Sequence, residues 1–440
     1  MSSSTVAGKS QAILAPGAGD AHVHKQQPKP CIVILIHGVN DLAGVYDELE
    51  TGICTGLNER LDHSLTNRGK RSPAALNPAT YTSPKDDEGK APDPDAVYYR
   101  RIASEGKQGG HSRSVVIPFY WGFREEEAAI QKQTSHGEWL DRFGNRLDKA
   151  GTKEGGPFGN ATTTLTDMFG RGFSAKLGFL PMNPMFGTPD HPLFPAPNRR
   201  YMVLAAQRLA MLVKIIRNYE SADGRSGKHD TINVVGHSQG TLIALLANAM
   251  LKDEGHGPVD ALIMMSSPYS LVESGYERME LHSAQQTTPA RIQTLANITR
   301  FIGEHPQTKP SMKEMADATH NSCIGGLRWN AGQCKTTIDG RDVEFAERDN
   351  RGGIFLYFSP QDQTVGLSNV RGIGWQGVGE SVTYSTDHRK QAVTPLVAGK
   401  RLLGTVTGQD YFEVEEPALA ALGMRFNQRV FTPRLCQATS

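Results

Sequence analysis

Asp230-Thr231-Ile232-Asn233-Val234-Val235-Gly236-His237-Ser238-Gln239-Gly240-Thr241-Leu242-Ile243-Ala244-Leu245-Leu246-Ala247-Asn248-Ala249-Met250 is the stretch that decides the fold. A β-branched run enters Gly236-His237-Ser238-Gln239-Gly240, and a helix-forming run leaves it. Strand, sharp turn with a serine at its apex, then helix is a nucleophile elbow. So tight a turn holds Ser238 at strained backbone angles and leaves no room for a Cβ at Gly236 or Gly240. It lifts the Ser238 hydroxyl above the sheet. It also leaves the Gln239 backbone N–H at the helix start, aimed at any oxyanion that forms. The bare Gly-x-Ser-x-Gly pattern arises by chance roughly 0.3 times in a chain of this length and composition. The flanking strand and helix therefore carry the argument against an idle serine in a Gly-rich loop.

Working outward, Cys31-Ile32-Val33-Ile34-Leu35-Ile36 is a continuous apolar run, expected to be a strand buried on both faces. It ends in His37-Gly38-Val39-Asn40-Asp41, where a backbone N–H can turn into the crevice at the strand's carboxyl end. A helix follows over 42–60, and a polar, Pro- and Gly-rich surface loop over 65–112. Ser114–Tyr120 is the next strand, ending in Trp121-Gly122. Tyr201–Tyr219 is an amphipathic crossover helix leading to the elbow strand. Val259–Met265 and Gly353–Phe358 are further strands, and 270–350 reads as polar, helical and loop-like. The alternation implies an α/β fold, a mostly parallel, doubly wound sheet. The organisation expected is a disordered leader at 1–29, a first part of the α/β core at 30–122, an insertion at 123–200 and the second part of the core at 201–440. The insertion mixes Gly, Pro and aromatics (Phe158, Met168-Phe169, Phe179 to Phe186) without clean periodicity. It reads as an irregular packed subdomain or as a lid over an apolar acyl site.

The 440 residues carry a net charge of +1 and no basic block long enough to track a nucleic acid, which argues against DNA or RNA partners. Lys70-Arg71 and Arg199-Arg200 read as solvated loop residues. No apolar run approaches the ~20 residues of a transmembrane helix, and Met1–Lys9 does not read as a secretory signal. The five cysteines, Cys31, Cys54, Cys323, Cys334 and Cys436, match no zinc spacing. Cys31 reads as a small buried hydrophobe, and Cys323 and Cys334 could pair in an oxidising compartment. Nothing calls for a metal or a cofactor. Gly372-Ile373-Gly374-Trp375-Gln376-Gly377 matches a dinucleotide fingerprint in letters, but no apolar strand enters it and no helix pattern leaves it. A flexible loop is the expectation there.

A serine alcohol needs a histidine to take its proton and a carboxylate to hold that histidine, in the chain order serine, acid, histidine. Asp362 lies just past a strand end in Pro360-Gln361-Asp362-Gln363-Thr364-Val365 and is the acid candidate; its alternative reading is an Asx-turn or a helix N-cap. Of the 14 histidines only His388 follows it, in the polar stretch Thr386-Asp387-His388-Arg389. His388 is the base candidate against an exposed loop histidine. The other readings are a base from the insertion, such as His136 or His191, or one outside the chain. The oxyanion hole would use the N–H groups of Val39 and Gln239, with His37 shaping the loop rather than acting as base.

With these residues in place, the chain resembles the α/β-hydrolase superfamily, closest to bacterial lipase-type members. More narrowly it resembles the α/β domain of the third family of type VI secretion phospholipase effectors. The supporting stretches are Leu35–Asn40, Pro118-Phe119-Tyr120-Trp121-Gly122, the elbow, Ser359–Asp362 and Gly372–Gly377. The resemblance implies a bacterial toxin cleaving membrane phospholipid esters. It would be held in the bacterial cytoplasm and delivered without a signal peptide by a secretion-apparatus component to the periplasm of a rival cell. A membrane surface would be contacted there, and an immunity protein would neutralise the toxin. It also implies a further C-terminal portion beyond the core, which would make His388 a bystander if the family's histidine lies there. Two other functions stay open: a cytosolic esterase or thioesterase on soluble substrates, and a truncated, catalytically inactive binding module.

Overall fold

Ile32–Ile36 forms strand β1, and its alternate side chains leave for opposite sides of the sheet. Ile34 and Ile36 enter the larger core, whereas Val33 and Leu35 pack with Tyr46, Cys54 and Val116 in a second one. This two-sided burial is why the run reads as unbroken apolar sequence rather than as alternation. The computed structural model describes residues 28–42, 44–63, 74–82, 100–102, 113–125, 128, 130, 139–141, 146–147, 151–153, 158–172, 176–177, 180–181, 196–222, 226–273, 286–307, 310–317, 320, 322–326, 329, 331–332, 334–338, 341–387, 400–406 and 409–431.

The remaining strands of the central sheet are β2 (Val116–Phe119), β3 (Ile232–His237), β4 (Ala261–Met265), β5 (Gly353–Phe358) and β6 (Phe426–Val430). Their order in space is β2-β1-β3-β4-β5-β6, and every pairing is parallel. Among the described residues the α-helices are α1 (Val45–Arg60), α2 (Arg200–Arg217), α3 (Gln239–Asp253), α4 (Thr288–Gly303), α5 (Met312–Ala316) and α6 (Ile373–Gln376). α1 covers the Val33 and Leu35 side. The opposite core joins Leu209 and Val213 of α2, Leu242 and Leu245 of α3, and Ile292 and Leu295 of α4 to Ile34, Val234, Leu262 and Ile354. Helices on both faces of a parallel sheet make the doubly wound α/β architecture expected from the sequence. The chain runs from β1 outward to β2, then returns to the other side of β1 as β3. That reversal opens a crevice at the carboxyl ends of β1 and β3, the position where open α/β sheets bind ligands.

Several segments depart from the sequence expectations. The region read as a loop over 65–112 contains a short antiparallel pair, Thr80–Thr82 with Arg100–Ile102. The region 270–350 contains a β-hairpin, Cys334–Ile338 with Arg341–Phe345, besides its helices. Cys323 is a free, buried thiol whose Sγ approaches the Gly325 carbonyl at 3.8 Å, and the side chain of Cys334 lies outside what is described. Arg199, read as a solvated loop residue, is buried and donates from Nε to the Asn160 carbonyl at 3.1 Å. The described parts of the insertion are short antiparallel pairs and 3-10 turns, with Leu165 and Met168 packed into the main core. Phe179 and Met182 to Phe186, which suggested a lid, lie outside the described residues. After β5 the chain builds a separate three-stranded antiparallel sheet from Ser381–Asp387, Lys400–Val406 and Gln409–Pro417 before returning as β6. Among the described residues no helix is long and apolar enough to cross a membrane.

Candidate active site

Ser238 follows the last residue of β3 with φ 49° and ψ −123°, a conformation that L-residues with a side chain rarely adopt. The neighbours that permit it are small by necessity. A Cβ on Gly236 would stand 2.9 Å from Thr241 Cα, and one on Gly240 would stand 2.6 Å from the His37 carbonyl oxygen. The strained turn is held by its backbone: the Ser238 N–H donates to the Met265 carbonyl at 2.9 Å, and the Thr241 N–H to the Ser238 carbonyl at 2.9 Å. The Thr241 hydroxyl donates to that same carbonyl at 2.7 Å, which leaves it to accept from the Ser267 hydroxyl, also at 2.7 Å. Neither Thr241 nor Ser267 was singled out from the sequence, since their roles arise only once β3 and β4 lie side by side.

Gln239 opens α3, so its backbone N–H has no acceptor within the helix. Its side chain is fully buried. Oε1 accepts the Thr162 N–H at 2.9 Å, and Nε2 donates to the Thr162 hydroxyl at 2.7 Å. The Ser270 N–H, in the loop after β4, donates to the neighbouring Thr163 carbonyl at 2.9 Å. The insertion is thereby stitched to the elbow. Val39 leaves the end of β1, whose Ile36 pairs with Gly236 of β3, so the Val39 and Gln239 loops depart from one edge of the sheet.

His37 is locked in place by its surroundings. Its Nδ1–H donates to the Gly38 carbonyl at 2.7 Å, and Nε2 accepts the Trp121 N–H at 3.4 Å. The Trp121 indole stacks on the ring at 5.1 Å between centroids and returns a hydrogen bond from Nε1 to the His37 carbonyl at 2.8 Å. The Tyr46 hydroxyl accepts the His37 N–H at 2.8 Å and donates to the Phe119 carbonyl at 2.7 Å, joining the ends of β1 and β2 through α1. Burial lowers the His37 pKa to about 4, against smaller raising effects of Asp41 and the Gly38 hydrogen bond. A neutral ring with both nitrogens engaged shapes the loop and has no lone pair to offer a substrate proton.

Asp362 lies in the turn after β5 and is half-buried. Its Oδ1 accepts the Thr364 N–H at 3.1 Å and the Val365 N–H at 3.0 Å, so the turn-capping reading of this residue describes one of its oxygens. Its charge also reaches His237 across the sheet edge. Among the described residues no histidine hydrogen-bonds to Ser238 or Asp362. His388, His136 and His191 all lie outside the described residues. The strand that leads toward His388, Ser381–Asp387, belongs to the small antiparallel sheet rather than to the central one.

The described histidine beside the nucleophile is His237, whose Nδ1–H donates to Asp41 Oδ2 at 3.2 Å. Desolvation opposes charge on this half-exposed ring, but the Asp41 hydrogen bond and charge, with Asp362 adding to them, hold its pKa above the usual value. Asp41 itself is held below the usual carboxylate range: burial works against ionisation, and the hydrogen bond and charge of His237 outweigh it. Gly372–Gly377 forms the one-turn helix α6 instead of the expected flexible loop. The Gly374 N–H donates to the Ser267 carbonyl at 2.8 Å and the Ser359 N–H to the Gly374 carbonyl at 2.9 Å, bracing the ends of β4 and β5. Among the described residues no group of three metal-ligating side chains is assembled.

The model of the T6SS Tle3 phospholipase effector domain matches residues 29–379, a span that includes the β1 loop, the elbow, the Asp362 turn and α6. The antibacterial effector protein Tle3 of Pseudomonas aeruginosa is 56% identical over 377 residues, which cover 84% of this chain and 52% of that protein. The chain thus spans about half the length of the curated relative it matches.

Proposed function

The chain belongs to the Tle3 family of type VI secretion phospholipase effectors, and from that premise we propose that it is a serine hydrolase of phospholipid acyl esters serving as an antibacterial effector. The observation that carries this reading is the backbone of Ser238, a strained serine at the sheet's switch point with the free N–H end of α3 beside it. Strain of this kind persists only where the surrounding structure imposes it, and it concentrates at functional sites.

In the proposed mechanism Ser238 Oγ attacks the ester carbonyl while a histidine, His388 or one from the insertion, takes its proton. Asp362 orients that imidazole and stabilises its charged form. The Val39 and Gln239 N–H groups receive the developing oxyanion, each contributing on the order of 3 kcal/mol to the transition state. Collapse of the tetrahedral species expels the lysolipid alkoxide, which takes the proton from the imidazolium and leaves an acyl-Ser238. Water, deprotonated by the same histidine, then releases the fatty acid and restores the serine. Membership of a T6SS effector family and similarity to an antibacterial effector support delivery by a type VI apparatus into a rival cell's periplasm and neutralisation by an immunity protein.

The test is fatty-acid release from phospholipid vesicles by wild type, Ser238→Ala, Asp362→Asn and His388→Ala. Ser238→Ala and Asp362→Asn are expected to lose at least ~10³-fold in rate. A wild type that cleaves soluble short-chain esters and ignores vesicles would point to a soluble-ester enzyme. Equal fluorophosphonate labelling of wild type and Ser238→Ala would point to a binding module. Full activity in His388→Ala would move the base to another histidine without touching the rest.

A further inference from the structure

Asp41 sits four residues beyond His37 and takes no part in the mechanism above, yet its carboxylate joins the two loops on which that mechanism depends. Oδ2 accepts the Gly38 N–H at 2.6 Å, at the end of β1. The same oxygen accepts the His237 Nδ1–H at 3.2 Å, at the end of β3. The two loops approach as closely as glycine allows: a Cβ placed on Gly38 would stand 2.9 Å from Ser238 Cβ and 3.1 Å from both Asp41 Oδ2 and His237 Nδ1. Between Gly38 and Asp41 the chain turns through Asn40 at φ 62°, a left-handed conformation that asparagine adopts more readily than most residues and that the Asp41 contacts hold in this one turn. Both contacts are charge-assisted hydrogen bonds to one carboxylate oxygen. Among the described residues, the charged and titratable groups acting on His237 are Asp41, Asp362 and the neutral His37.

We propose that Asp41 is a positioning residue of the hydrolase centre, whose carboxylate locks the β1 loop against the elbow so that the Val39 and Gln239 N–H groups converge on one carbonyl oxygen. This rests on the serine-hydrolase reading of the same site. With the Gly38 N–H committed to Asp41, the next peptide N–H, that of Val39, is the donor this arrangement leaves for the oxyanion. Releasing the loop costs alignment of that donor rather than affinity for lipid, because the carboxylate oxygen is engaged by Gly38 and His237 within the protein. Misplacement of about 1 Å at such a donor lowers rates on the order of 10²-fold.

The experiment uses the full chain as wild type, Asp41→Asn, Asp41→Ala and Ser238→Ala, with a short-chain phosphatidylcholine kept monomeric below its critical micelle concentration. Asp41→Ala is expected to lose about 10²-fold in kcat with KM within about twofold. Fluorophosphonate labelling of Ser238 should slow in parallel, since phosphonylation uses the same oxyanion donors. Asp41→Asn, whose amide oxygen still accepts the Gly38 N–H, should recover most of the kcat. The His237 imidazole resonance should titrate at lower pH in both Asp41 variants than in wild type. Melting curves establish that the variants are folded. A purely structural role would lower the melting temperature without splitting kcat from KM. Undiminished kcat in folded Asp41→Ala, or a loss that Asn does not repair, overturns the inference while leaving the hydrolase reading intact. Wild type no faster than Ser238→Ala overturns the hydrolase reading and this inference with it.

Discussion

Gln239 and Thr162 grip one another through a closed pair of hydrogen bonds, 2.9 Å from the Thr162 N–H to Oε1 and 2.7 Å from Nε2 to the Thr162 hydroxyl, with both residues buried. The residue that follows the nucleophile is therefore held from its side chain by the insertion and from its backbone by α3. The insertion belongs to the elbow's supporting structure rather than hanging from the sheet as an ornament.

Replacing Gln239 by Leu should expose that dependence. The Thr162 N–H and hydroxyl lose their partners inside the protein, at a cost of about 1–3 kcal/mol for each unsatisfied group. Urea titration should show the loss of stability. Rates on monomeric ester should fall through kcat as the Gln239 N–H loses its anchor. Unchanged stability would mean that the segment around Thr162 can leave the elbow freely.

Gly240→Ala should fail more severely. The new methyl group meets the His37 and Ile36 carbonyl oxygens at 2.6 and 2.7 Å, and both belong to backbone that cannot step aside without disturbing β1. Destabilisation of roughly 3 kcal/mol or more is expected, seen as low soluble yield or an early melting transition. A Gly240→Ala protein with wild-type melting would show that β1 and α3 can separate at this point.

Thr241→Val keeps the shape of the side chain and removes its hydroxyl. The Ser238 carbonyl retains the Thr241 N–H but loses its second donor, and the buried Ser267 hydroxyl loses its acceptor. A stability loss of about 1–2 kcal/mol is expected. Activity should fall by roughly tenfold as the strained turn relaxes. Kinetics on a soluble ester with parallel denaturation would separate the two effects.

Stability should also depend on pH through His37. Its folded pKa of about 4 lies below the unfolded value of 6.5, so the unfolded chain binds the extra proton first. The contribution is fully present above about pH 6.5 and is lost as pH falls toward 4, an effect on the order of 3 kcal/mol. His37→Gln should flatten this slope between pH 7 and 5 in urea titrations, whatever its effect at neutral pH. The raised pKa of His237 acts in the opposite sense: its contribution is present below about pH 6.5 and fades as pH rises through the folded value.

What the sequence displayed was whatever leaves a local trace. The Ile232–Val235 run with its glycine punctuation, and the unbroken apolar runs of β1 and β5, announce buried parallel strands because both of their faces must be apolar. β6 gave no such trace: it is an edge strand, and Phe426 alone of its five residues is buried. The strands at Ser381–Asp387 and Gln409–Pro417 are similarly polar in sequence, and their antiparallel pairing is what identifies them. The turn after β5 that carries Asp362 was legible from its place past an apolar run. Asp41 and His237, 196 residues apart, and Gln239 and Thr162, 77 apart, were not, because nothing in either local stretch names the other. Gly372–Gly377 misled in the other direction, since a single helical turn braced from outside needs no amphipathic pattern.

The last strand of the central sheet has a consequence for how this protein can be trimmed and made. β6 reaches β5 only after the excursion through residues 381–417, and Ile354 pairs with Phe426. Until the ribosome has released that stretch, one margin of β5 has no neighbour, and its naked amides can recruit any extended peptide nearby. A protease nick ahead of Phe426 would recreate the same hazard in the finished molecule. Shortened versions designed for crystallisation or vaccine work should therefore run through Val430, or carry a charged residue or proline on that margin to blunt it.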